Sequence, residues 1–405
     1  MVEFRGPVVL LDPGNFSPQY TANLCSSLAQ LDVDVTLITS PPQFGAMPLP
    51  RGYRVETYFF RAISEPGVLR SATAHSPLSR MILKACAYPF GLARTKRLLS
   101  SLKAPGILHY QWAHLPILDA RLVSWLGAAG WHTVATAHEF TVPAPFLKRH
   151  ARRFYRSMDA VVVHTARLAE QARAELHIPA SRLNVIARGD LGALRGPELT
   201  RHEARARNGI GGCGPVLLFF GMIKPNKGLI HLLRAMPEVL RAIPDARLVI
   251  AGEPIESFDN YAAAIRQLGI EHAVITRLGY VPDEDAGAYF QSADVIVLPH
   301  TEVSLSGVAW VALGFGRPIV GTNVGGLPDL VEEGMNGALV APGSSVALSQ
   351  AIIRMLGDPE QLERMGERAK AAFEARYSWA RTANQTLQLY RRLMNGPPVD
   401  VGPLV

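Results

Sequence analysis

The stretch FFGMIKPNKG, Phe219 to Gly228, leaves an apolar run at a glycine and sets Lys224 and Lys227 three residues apart, just before a helical pattern begins. A strand that turns at Gly221 and feeds a helix after Lys227 brings main-chain N–H groups, the positive end of a helix dipole and two ammonium groups to one place. That combination suits an anion, a diphosphate above all. With no anion the lysines oppose the dipole, at roughly a few tenths of a kcal/mol each. A solvated basic turn is the competing explanation, and it fits Lys224 better than Lys227.

Other residues with usable chemistry also fall at the ends of β-type runs. IAGEP places Gly252 and Glu253 there, and GYVPDEDAGAYF places Gly279, Tyr280 and Val281, where a close backbone and an apolar face could meet a nucleobase. Glu253 fits a helix-start carboxylate as well as a ligand, and Tyr280 fits edge packing. Nearer the N-terminus, LLDPGNF offers Gly14 and Asn15, TVATAHEF ends on His138 and Glu139, and ILHYQWAHLP adds His109, Gln111, Trp112 and His114. These aromatic and hydrogen-bonding groups suggest the wall of a ligand site, although core packing accounts for Trp112 equally well. No H-E-x-x-H, Ser/His/Asp set or spaced carboxylate pair appears, which argues against hydrolysis by a nucleophile or a metal. Cys25, Cys86 and Cys213 lie too far apart in sequence for a disulfide framework or a zinc site. GIGGCG, Gly209 to Gly214, matches G-x-G-x-x-G, but it precedes a strand where a dinucleotide fingerprint follows one, so an NAD-dependent dehydrogenase is a poor reading.

Positioning such loops takes parallel sheets covered by helices. Short β-branched runs alternate with helical patterns along all 405 residues: VVLLD, DVTLIT, RVETYFF, ILHYQW, TVATAH, AVVVHT and LNVIA in the first half, VLLFFG, RLVIAG, VITRLGY, VIVLP and PIVGT in the second. The pattern predicts α/β architecture with two Rossmann-like, doubly wound domains facing a central cleft, and ligands at the carboxyl ends of the strands. Residues 1–190 form the expected N-terminal domain, 191–214 an interdomain linker and 215–378 the C-terminal domain. A C-terminal helix over 379–405 is expected to cross back to the first domain.

FFGMIKPNKG, TVATAHEF and the long run from VIVLPHTEVSLSGVAWVALGFGRP to GGLPDLVEEGMNGALVAPG together resemble the retaining nucleotide-sugar glycosyltransferases of family four, which have the GT-B fold. The likeness spans almost the whole chain and is strongest from Val216 to Gly343. It implies transfer of a sugar from a nucleoside diphosphate to a hydroxyl acceptor with the anomeric configuration kept and no metal or other cofactor. In that family the glycine-lysine loop holds the donor diphosphate, a role that falls on Gly221 and Lys227. Met222 stands where the family usually has arginine, and Lys224 could supply the charge. Two family glutamates eight positions apart fall on Val303 and Val311, neither able to accept a hydrogen bond, while Glu302 stands one residue before the first. The SLSG turn replaces a glycine-aromatic-glycine, leaving the main chain of Ser304, Leu305, Ser306, Gly307 and Val308 to meet a sugar hydroxyl or a phosphate. His138 matches the residue that touches the donor sugar near the reacting carbon. The resemblance thus implies catalytic roles for His138, Lys227 and Glu302, with a catalytically inactive scaffold as the alternative.

Residues 1–190 carry 21 Lys and Arg against 12 Asp and Glu, an excess of +9, whereas residues 191–405 carry 20 against 22. Two stretches, Pro77 to Pro105 and PFLKRHARRFYRSM, mix cations with apolar residues, as a helix lying on anionic lipid would. A solvated basic face explains them equally well. The expected partners are a nucleotide-sugar donor, a hydroxyl acceptor that is lipid-linked if the membrane reading holds, and an anionic membrane surface. No nucleic-acid motif accompanies the charge. With no basic leader and no apolar run of about 20 residues, a cytoplasmic protein is expected, peripheral on the inner face of the membrane if it docks at all.

Overall fold

β1 (Val8–Asp12) is buried along its whole length, which explains its unbroken apolar run: Val9 and Leu11 join one core cluster and Val8 and Leu10 another, on opposite faces of one sheet. The computed structural model describes residues 4–41, 49–61, 77–138, 145–190, 194, 196–212, 214–302 and 306–396, the side chains of 77–81 and 145–147 excepted. The chain divides into two units, Met1–Gly189 with Tyr377–Val405, and Asp190–Arg376.

In the first unit β1, β2 (Val35–Thr39), β3 (Arg54–Thr57), β4 (Ile107–Tyr110), β5 (His132–Thr136), β6 (Ala160–Val163) and β7 (Leu183–Val185) form one parallel sheet in the order β3-β2-β1-β4-β5-β6-β7. Around it lie α1 (Pro18–Ala29), α2 (Pro77–Ser101), α3 (Pro116–Ala128), α4 (Pro145–Arg156) and α5 (Ala166–Leu176). A further helix, α13 (Trp379–Asn395), packs on α1 and sends Ala383, Leu387 and Tyr390 into the core beside Val8 and Leu10. Truncating a leucine buried as Leu10 is costs about 2–5 kcal/mol, because the surrounding sheet cannot collapse into the hole.

The second unit holds β8 (Val216–Phe220), β9 (Arg247–Gly252), β10 (Val274–Leu278), β11 (Val295–Leu298), β12 (Ile319–Thr322) and β13 (Gly337–Val340), parallel in the order β10-β9-β8-β11-β12-β13. Its helices are α6 (Arg201–Arg207), α7 (Leu229–Ala242), α8 (Asp259–Gln267), α9 (Asp283–Ser292), α10 (Gly307–Gly314), α11 (Ser345–Leu356) and α12 (Pro359–Arg376). α6 falls within the stretch expected as linker. A capping box between Thr200 and Glu203 starts it, and it packs on α9 of this unit. Each sheet reverses its strand order once, between β1 and β4 and between β8 and β11. Such switch points open a crevice beyond the strand ends.

Candidate functional site

Gly221, Gly252 and Gly279 follow or end three neighbouring strands of the second unit, with φ of +104°, +146° and +127°, values that side chains rarely adopt. The Gly221 N–H donates to the Ala251 carbonyl at 2.9 Å, and the Gly279 N–H to Gly252 at 3.0 Å. A Cβ on Gly252 would lie 1.9 Å from the Gly221 carbonyl oxygen, so the two chains can approach only without one. Beyond Gly221 the loop is held by Ile223 N–H donating to Glu253 O at 2.9 Å and by Thr301 N–H donating to Asn226 O at 3.0 Å. Lys224 starts a 3₁₀ turn, Pro225–Lys227, and Gly228 heads α7 with φ +68°, where a Cβ would strike the Pro299 carbonyl at 1.8 Å. Among the described residues no side chain caps this helix start. The β8 loop is thereby fixed against the exit of β11, at the switch point, with half-buried Lys224 and Lys227 upon it.

Around that loop, Met222 is exposed, and Gly307 opens α10 with no side chain or neighbouring loop among the described residues within 4 Å of where its Cβ would stand. Val308 lies beside Gly221, 3.4 Å from the place of a Gly221 Cβ. Tyr280 is partly exposed, its phenol pushed up by burial and then by Asp283 and Glu284, and Val281 beside it is half-buried. Glu253 is half-buried. Glu302 is exposed, and its main-chain carbonyl accepts from Asn226 Nδ2 at 3.3 Å. Ser306 is buried as the cap of α10, its hydroxyl accepting from Ala309 N–H at 3.3 Å, so its side chain serves the helix. Val303, Ser304 and Leu305 lie outside the described residues. Val311 is half-buried on α10.

One member of this face escaped the sequence reading. His300 follows β11, is buried, and has its Nε2 3.4 Å from Ser306 Oγ, while its carbonyl accepts from Thr322 Oγ1 at 2.6 Å. Burial first, then the Lys227 charge, pull its pKa down to about 3, against the opposing effect of the Lys227 main chain. Its place one residue past VIVLP, beyond a central strand, was the available signal.

The switch point of the first unit is flanked by the loops after β1 and β4. Asp12 ends β1 fully buried. Its carboxylate accepts from Asn15 N–H at 3.0 Å and from Thr21 Oγ1 at 2.9 Å, and burial outweighs these bonds to raise it to about 6. Asn15 takes φ +49° and donates its amide to the Ser40 carbonyl at 2.9 Å, and a Cβ on Gly14 would overlap the Phe16 ring. Gly14 and Asn15 therefore shape the turn. After β4, Gln111 is wholly buried, yet neither its Oε1 nor its Nε2 has a hydrogen-bond partner among the described residues, nor has Trp112 Nε1.

His138, two residues past β5, stacks on Trp112 with ring centroids 4.8 Å apart and 18° between planes, and meets the Tyr20 ring edge-on at 4.8 Å. Its protonation follows from its neighbours. His164 Nδ1 lies 3.0 Å from the Ile186 carbonyl, which only accepts, so the proton sits on His164 Nδ1. His164 Nε2 then accepts from His138 Nδ1–H at 3.2 Å, leaving His138 Nε2 a bare acceptor, buried and without a partner among the described residues. Both rings stay neutral. Burial, then repulsion by any proton on His164, by Arg188 and by any proton on His109, holds His138 well below the usual imidazole range, and burial with Arg188 brings His164 to about 3. Arg188 lies over the Tyr20 ring at 5.2 Å. His109 bridges Tyr390 of α13 and Thr136, at 2.6 and 2.7 Å, and so is structural. Sequence reasoning found His138 but not His164, Arg188 or Tyr20, because a pair set by burial and a tautomer leaves no spacing motif.

A family model described as "Glycosyl transferases group 1" matches residues 214–358, and one described as "Glycosyl transferase 4-like domain" matches residues 17–189. A D-inositol 3-phosphate glycosyltransferase of Segniliparus rotundus is 30% identical over 341 residues, covering 76% of this chain and 75% of that one. The chain belongs to the group 1 glycosyltransferases. Among solved structures, sucrose-phosphate synthase from Thermosynechococcus elongatus superposes with a TM-score of 0.74 at 21% identity, over 96% of this chain and 99% of that one. The Anabaena protein Alr3699/HepE, solved in complex with UDP, gives 0.72 at 17% identity, over 96% and 100%. The two sheets are those of the GT-B fold, and this group 1 glycosyltransferase carries its glycine-lysine loop on the second of them.

Proposed function

We propose that the chain moves a hexosyl group from a nucleoside diphosphate sugar to a hydroxyl acceptor with retention of configuration and without a metal, in polysaccharide or glycolipid synthesis. The observation that carries this reading is the β8 loop, where Lys227 and Lys224 stand at an uncapped helix start beside three positive-φ glycines. The lysines and N–H groups meet the diphosphate and stabilise the charge that grows on it as the glycosidic bond breaks; each well-aimed donor is worth about 3 kcal/mol in the barrier. Tyr280, Val281 and the Gly279 main chain serve the base, Gly307, Val308 and Glu302 the sugar and phosphate, and Gln111, Trp112 and His138 the acceptor and sugar hydroxyls. His138 Nε2 accepts a hydrogen bond from a hydroxyl but is too weak a base to take its proton. The leaving phosphate oxygen removes that proton on the face where the new bond forms.

Lipid attachment is part of the same proposal, with a narrower surface than the sequence suggested. The described apolar residues of α4, Ala151, Phe154 and Tyr155, face the core, and Lys148 and Arg152 are engaged by Glu175, so among the described residues α4 offers cations without exposed apolar partners. α2 keeps Phe90 and Ile82 exposed beside Arg94, Lys96 and Arg97. Among the described residues no helix is long and apolar enough to cross a membrane.

A thermal-shift screen of UDP, GDP, ADP and dTDP tests the donor half, since a ligand that binds only the folded state raises the melting point by mass action. A rise with one or more of them supports the proposal. Silence to all four favours a scaffold, the reading to which Val311 points.

A further inference from the structure

At the opposite end of the second sheet, by the amino ends of β8, β11 and β12, lies a cavity of about 610 Å³, within the range of small-molecule sites. Arg201, Arg205 and Arg317 line it with one inner carboxylate, Asp294. Arg205 contacts one Asp294 oxygen at 2.6 Å and Arg201 the other at 3.2 Å, and Asp294 also accepts from Val216 N–H at 2.7 Å. Arg317 gives one nitrogen to the Gln291 carbonyl at 3.1 Å, but its buried Nε finds no hydrogen-bond partner among the described residues. Two guanidinium groups thus share one carboxylate, and Arg317 adds a third to the same wall. Burial and the neighbouring Arg201 draw Arg317 down to about 10, partly opposed by Asp294. Glu363, Glu367 and Lys370 are exposed at the rim, where solvent screens them. The remaining wall is apolar, with Phe315, Leu356 and Leu362.

We propose that this cavity binds an organic phosphate monoester, its phosphate on Arg201, Arg205 and Arg317 and its carbon body against Phe315, Leu356 and Leu362. Guanidinium N–H groups beyond those given to Asp294, Ser292 and Gln291 can meet phosphate oxygens, and an anion here relieves the crowding of like charges. The site lies at the opposite strand ends from the Lys227 loop and does not depend on the donor reading.

The test is calorimetric titration of the full chain carrying Lys224→Ala and Lys227→Ala, which removes the competing anion loop, with glycerol 3-phosphate and inorganic phosphate at constant ionic strength. Saturable binding is expected, roughly tenfold weaker when Arg201→Gln is added, one charge-assisted contact being lost. Arg201 is half exposed on its side chain and leaves the Arg205 to Asp294 pair in place, so this variant folds. Arg317→Lys, which keeps the charge and loses the fork, is expected to weaken binding similarly. Binding of inorganic phosphate as tight as that of glycerol 3-phosphate overturns the organic body, and affinity unchanged by both substitutions, or no saturable binding of either probe, overturns the site.

Discussion

The Gly221 carbonyl oxygen lies 1.9 Å from the position a Gly252 Cβ would take, so the exits of β8 and β9 are in register only because residue 252 lacks a side chain. Gly252→Ala must push that carbonyl, and the loop bearing Lys224 and Lys227, out of place. At Gly279 a Cβ meets nothing within 4 Å among the described residues, which leaves the strain of φ +127°, about 1–3 kcal/mol. Thermal unfolding should therefore show a larger loss for Gly252→Ala than for Gly279→Ala, with nucleotide affinity reduced only in the former. Equal losses would mean that the close approach does not set the loop.

The central strands of both sheets were legible because parallel strands buried on both faces read as continuous apolar, β-branched runs, VVLLD and RLVIAG among them. β13 was missed, since GALV is a four-residue edge strand among glycine, proline and acidic residues. At the site, residues at strand ends were visible and those defined by partners were not. TVATAHEF pointed to His138, but the chain from Ile186 through His164 that sets its tautomer joins residues far apart in sequence.

Acid should destabilise the first unit through its buried imidazoles. His109 and His164 are lowered to about 3, His114 to about 4 and His138 well below its usual range, all chiefly by burial, so the unfolded chain takes up four protons below about pH 6.5 that the folded one refuses. Asp12 and Asp119, raised to about 6 and 7 by burial, work the other way, holding protons in the fold down to the unfolded carboxylate range. The net uptake of about two protons on unfolding lowers stability as pH falls from about 6 to 4, by roughly 1.4 kcal/mol per proton per pH unit. Denaturant titration across that range measures the slope. His164→Gln should flatten it by about one proton, and an unchanged slope would show that His164 is not held neutral.

His138→Ala removes the bare Nε2 acceptor and the ring stacked on Trp112. Turnover should fall by about 10²-fold or more, as for other lost transition-state contacts, while affinity for the nucleoside diphosphate stays within a few-fold. His138→Gln, which restores an acceptor, should recover part of the rate. Full activity in His138→Ala would make the residue structural.

For membrane attachment the discriminating surface is α2. Wild-type protein is expected to co-sediment with anionic vesicles at low salt and not at 1 M salt, where the Debye length shrinks to about 3 Å. Phe90→Ser with Ile82→Ser should weaken binding, whereas Arg149→Gln on α4 should matter less. Binding indifferent to lipid charge would favour a soluble acceptor.

The central claim is that the β8 loop holds a nucleoside diphosphate, and calorimetric titration of UDP and GDP into the wild-type chain, Lys224→Ala and Lys227→Ala tests it most directly. At least one nucleotide should bind the wild type. Lys227→Ala should lose roughly tenfold or more in affinity, the value of one charge-assisted contact to phosphate, and Lys224→Ala less. Affinity in Lys227→Ala equal to the wild type would contradict the account.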